Sequence, residues 1–158
     1  MSHRSDRDVE QLLRRGILAV GFVGALGTML ELALARHWKS PVQLLPWVFL
    51  GVVAWTLAAV WLRPTRPVVR SARAIAVVAA GVGMFGVFEH VKANYDAAPL
   101  DAVFGPKWDA TSGVSRWWHA TIESVGPSPS FAPAALVLIA AVLLVATARL
   151  PRTTTPTA

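Results

Sequence analysis

Cysteine is absent from the 158 residues, which excludes disulfides, thiolate metal sites, cysteine nucleophiles and a lipidated N-terminal cysteine together. Charge is scarce too: Asp, Glu, Lys and Arg make up 15% of the chain against 54% hydrophobic residues, a balance outside the range of soluble domains. There is no G-x-S-x-G elbow, no phosphate-cradling glycine loop and no H-x-x-x-H ligand pair. No two histidines lie at comparable depth in separate apolar runs, as a bis-histidine haem needs. No catalytic residue, cofactor or metal site is therefore assigned. The net charge of +6 is spread over the ends of apolar runs instead of being clustered with aromatics, so it indicates membrane topology and not nucleic-acid binding.

What the chain does have is apolar length. A spanning helix needs about 20 residues, each rising ~1.5 Å across a ~30 Å hydrocarbon layer. The pattern predicts an all-α protein with one transmembrane domain over residues 1–150. Its four spans cover about 15–35, 44–62, 73–91 and 131–148, and a disordered Thr-rich tail follows over 151–158. Pro46 and Pro133 fall in first turns, where a missing N–H costs nothing. Trp47 and Trp61 mark the ends of the second span.

Arginine and lysine set the orientation. One side carries Arg4, Arg7, Arg14 and Arg15, then Arg63, Arg66, Arg70 and Arg73, then Arg149 and Arg152; the other carries Arg36, Lys39, Lys92, Lys107 and Arg116. By the positive-inside rule both termini are expected to be cytoplasmic. Arg14-Arg15, the apolar run and Ala33-Leu34-Ala35 also resemble a signal peptide, but the match between the first and third spans argues that the first is retained.

That match is the most informative pattern. Gly16 to Leu30 and Ala74 to Phe88 are uncharged and end in Glu31 and Glu89. Gly24, Gly27 and Glu31 recur as Gly83, Gly86 and His90. Glycine stripes let membrane helices approach closely, so the first and third spans are expected to pack along them and to bring Glu31 opposite His90. Asn94 continues the His90 face, while Glu89 lies about 100° around the helix. Near two helix C-termini an anion is disfavoured and a cation favoured, so an ion pair or shared proton is the expectation. Glu31, His90, Glu89, Asn94 and His37 are thus the candidate ligand or proton groups, and helix locking or snorkelling is the alternative.

The connection 94–130 is long for a helical bundle. In its second half Val114, Trp117, Trp118, Thr121, Ile122 and Val125 share one side of a helical wheel, and Ser115, Arg116, His119 and Glu123 the other. An amphipathic helix over 114–125 is expected at the extracytoplasmic surface, with Trp117, Trp118 and Ile122 in the interface.

Glu31 to Trp38 with Pro41, Gln43, Leu44, Leu45 and Pro46, Gly86 to His90 with Asn94, and Pro129 to Pro133 resemble an uncharacterised group of small four-span bacterial inner-membrane proteins. The likeness covers about residues 25–150 and implies the four-span layout, with no activity attached. The functional expectation is a non-enzymatic structural or accessory subunit embedded in the lipid bilayer, with a membrane-protein partner or a second copy. A small transporter or proton-coupled module using the Glu/His cluster is the first alternative. A membrane enzyme at the outer interface is the second.

Overall fold

The computed structural model describes residues 2–148, and the side chains of 8–148; the tail expected to be disordered lies outside the described residues. Among those residues the chain is helical without strands: α1 Ser2–Leu34, α2 Pro41–Leu62, α3 Arg66–Ala97, α4 Gly113–Thr121 and α5 Ala134–Ala148. Three helices are long and apolar enough to cross a membrane, over Asp8–Leu34, Pro41–Leu62 and Arg66–Leu100. At 15 residues α5 is shorter. Its chain enters through the turn 131–133, where Ala134 N–H bonds to Phe131 O and Leu136 N–H to Pro133 O, so Pro133 stands before the helix and not within it.

The other boundaries differ from expectation at their starts, and α3 also runs past the expected end at 91 to Ala97. Residues 2–14 continue α1. Ser40 caps α2 by accepting a hydrogen bond from Gln43 N–H, and Pro41 takes the first position, which leaves Pro46 inside the second turn. α3 likewise begins at Arg66, with Pro67 in its first turn.

Helices α1, α2, α3 and α5 pack around one apolar core that includes Leu18, Leu50, Val53, Leu57, Val60 and Leu143, each buried. Apolar side chains also stay on the outside, with Trp55 78% exposed and Val20, Val23, Val77 and Leu138 each more than half exposed. Soluble monomers rarely carry such a surface, which is compatible with a lipid surround.

α5 lies between α1 and α3 and also touches α2. It runs antiparallel to both neighbours: Gly21 meets Val142 and Gly24 meets Ile139 on one side, while Gly86 meets Pro133 and Gly83 meets Val137 on the other. At the far end Arg73 donates to the Thr147 and Ala148 carbonyls, supplying donors to the last turn of α5. The expected seam between the first and third helices is thus replaced. Their glycines serve close packing against α5, and Gly27 faces open space.

The connection 98–133 forms a cap over one end of the bundle. Trp108, Ala120 and Val125 bury themselves with Val91 and Ala98. Tyr95 of α3 stacks on Trp117 at 4.8 Å and meets Trp108 edge-on at 5.3 Å. Asp101 Oδ1 accepts from the Phe104 and Val103 N–H groups, both at 2.8 Å, which holds its carboxyl below the usual carboxylate range.

The cap helix corrects the expected 114–125 segment. α4 stops at Thr121 because Glu123 takes a left-handed conformation at φ 60°. Ala120 is buried, while Trp117 is 41% exposed and stacks on Phe88 and Tyr95. Trp118 is 61% exposed and Ile122 48%, so both lie open on the outside of the cap.

Candidate functional site

At the capped end the helices diverge around a cavity of about 580 Å³. α1 contributes Thr28 and Glu31, the α1–α2 loop His37 and Ser40, α2 Gln43 and Pro46, α3 Glu89 and His90, and the chain entering α5 Ser128 and Pro129. Below this polar rim the walls are apolar, with Leu32, Leu50, Val82, Phe85 and Leu136. The expected Glu31 to His90 bond is not formed among the described residues; both groups face a shared space.

Local structure fixes each group. Arg36 closes α1 at φ 51°, and the turn is held by Ala35 N–H to Glu31 O and His37 N–H to Leu32 O. Trp47 Nε1 donates to His37 O at 2.8 Å, so this indole, expected as a headgroup anchor, ties the loop to α2. The His37 ring then sits 6.2 Å, centroid to centroid, from the His90 ring. His90 Nδ1 lies 2.8 Å from Pro129 O. A carbonyl can only accept, so Nδ1 carries the hydrogen and Nε2 of the neutral ring keeps its lone pair.

Asn94, grouped with His90 on sequence, lies apart from the cavity. It is fully buried, its Nδ2 donates to Ala120 O, Ser128 O and Ser130 Oγ, and its Oδ1 accepts from Ser128 N–H at 2.8 Å. Both of its N–H groups, shared among three acceptors, and one lone pair of Oδ1 are spent on holding the cap to α3. Gly126, at φ 81°, crosses directly over Asn94. Glu123 joins this latch by accepting from Ser130 N–H at 2.7 Å.

Comparison with family models, curated proteins and solved structures finds no match. The site therefore has to be read from its own chemistry.

The carboxylates of Glu31 and Glu89 have no ion-pair partner among the described residues, where the one ion pair is Lys92 to Asp96 at 2.6 Å. No group of three or more metal-ligating side chains assembles among the described residues. Sequence reasoning missed Gln43, Ser40 and Pro129. None carries a signature of its own, and Pro129 acts only through its backbone carbonyl.

His37 binds a proton less readily than an ordinary histidine, first because of its burial and second because of the neighbouring His90 ring. The unfolded chain then holds that proton more tightly. The stability contributed by neutral His37 is complete above about pH 6.5 and is lost as pH falls through and below that value. An NMR titration should place the His37 midpoint below that of a free histidine, and His90→Gln should raise it only part of the way, since burial remains. A midpoint at or above the free value would contradict this arrangement.

Proposed function

We propose that the protein is a four-span integral membrane protein, related to the group that residues 25–150 resemble, and that it works as a small transport or proton-coupled module through the cavity at its capped end. The observation that carries this reading is the cavity itself, since it collects Glu31, His37, Glu89 and His90 without consuming them in bonds to one another. Groups that served only to lock helices would be paired, because an unpaired polar side chain near hydrocarbon gives no stability in return. The charge distribution supports an extracytoplasmic cavity: Arg63, Arg66, Arg70 and Arg73 stand at the opposite end, where the anionic inner leaflet attracts them.

In liposomes carrying a pH gradient, the protein should collapse the gradient faster than protein-free vesicles do. Glu31→Gln should return the rate to that background. Equal rates with and without protein would remove the reading.

A structural or accessory role is the second reading, and one observation favours it. Leu100, Val103 and Val114 at the cap are each more than 60% exposed, an apolar surface that headgroups or a partner protein would cover.

A further inference from the structure

The polar groups around the cavity are biased toward one kind of ligand. No lysine or arginine lines it; its ionisable groups are two glutamates and two histidines. With the imidazoles neutral the lining is anionic, and with both protonated the glutamates still balance them. The cavity therefore never presents a net positive charge while its carboxylates are ionised. Its hydrogen-bonding capacity leans the same way. His90 has committed its Nδ1 hydrogen to Pro129 O, which leaves a lone pair on Nε2. Pro46 has no N–H, so the Val42 carbonyl lacks the donor that a helix would supply from that position, and both residues line the cavity.

The walls deeper in are apolar and include the Phe85 ring, whose π face attracts cations. The volume of about 580 Å³ suits a small organic molecule and is far larger than a bare metal ion needs. We infer that the cavity binds an amphipathic organic cation, its charged end held by Glu31 and Glu89 and its apolar body against the Leu136 and Phe85 walls. This rests on the cavity being the working site of the protein. An anion of the same shape meets the two carboxylates with like charge and is rejected.

Two probes of nearly equal shape and opposite charge, each with a charged end and an apolar ring, test the inference on the full chain in lipid nanodiscs: trimethyl(phenyl)phosphonium and phenyltrifluoroborate. The cation should bind saturably and the borate should not. Glu31→Gln and Glu89→Gln should each weaken the cation by about tenfold or more. Ala93→Trp, which adds bulk to a wall residue that is itself exposed, should block binding. Circular dichroism and gel filtration of each variant report whether it folds, and the two-probe comparison on the unaltered protein needs no variant.

If borate binds as tightly as phosphonium and Ala93→Trp blocks both, the cavity is a ligand site but the charge assignment is overturned. If phosphonium binding ignores Ala93→Trp as well as both glutamine variants, the cavity is not where it binds and the proposed working site falls too. Absence of phosphonium binding to the unaltered protein overturns the cation inference outright.

Discussion

Gly126→Ala should destabilise the capped end by about 2 to 4 kcal/mol, the sum of a left-handed backbone forced on a side chain and a steric clash. The new Cβ would sit 2.5 Å from both Cα and Oδ1 of Asn94. Backbone cannot retreat as a flexible side chain can, so either the 126–130 segment lifts or α3 shifts. Lifting breaks the three hydrogen bonds that Asn94 makes with Ser128 and Ser130, leaving the Ser128 carbonyl without that donor. Hydrogen exchange at residues 126–130 is the direct readout, and it should accelerate by the factor corresponding to that loss. Asn94→Ala should accelerate exchange in the same segment by removing the latch from the other side. Protection equal to the unaltered protein in both variants would show that the aromatic contacts of Tyr95 and Trp117 hold the cap unaided.

The second large effect is expected at Gly83. A Cβ there would lie 2.7 Å from Val137 Cγ2, 3.1 Å from Val137 N and 3.2 Å from Pro133 O. Two of the three atoms are backbone, so α5 must move away from α3 as a body. Gly83→Val should therefore cost about 2 to 3 kcal/mol, the usual range for overpacking a close helix contact. Gly27→Ala is the matched control, because no atom lies within 4 Å of its added Cβ. That substitution should be neutral or stabilising by about 0.5 to 1 kcal/mol, since alanine favours helix over glycine. Thermal or denaturant unfolding in detergent distinguishes the two. If Gly27→Ala destabilises as much as Gly83→Val, α1 and α3 meet along their stripes after all.

The contrast between those glycines shows how far the sequence can be read. Periodicity identified α1, α2 and α3 as long apolar helices, and the matching stripes revealed that small residues line a close approach. A stripe does not name its partner. α5 is apolar on every side, from Ala134 to Ala148, and carries no stripe, so nothing in its composition announced that it would lie between the other two. The same gap appears at the cap. Asn94 was legible as a polar residue on the face of His90, but its partners are mainly backbone groups, and backbone groups leave no pattern in a sequence. For α4 the wheel extended past Thr121, although Ser124, Gly126 and Pro127 already signalled a turn. The gathering of Glu31, His37, Glu89 and His90 follows from the end of α1 and the loop after it standing level with α3 about two turns before α3 ends. That these groups leave a space between them follows from the bulk of α5, which holds α1 and α3 apart.

α5 follows α1, α2 and α3 in the chain and is synthesised after them, so until it docks those three helices leave a lengthwise gap between α1 and α3. Docking of α5 fills that gap and, through Pro129 and Leu136, closes one side of the chamber. Synthesis and enclosure are thereby coupled: a nascent chain halted before Ser128 lacks this wall of the chamber.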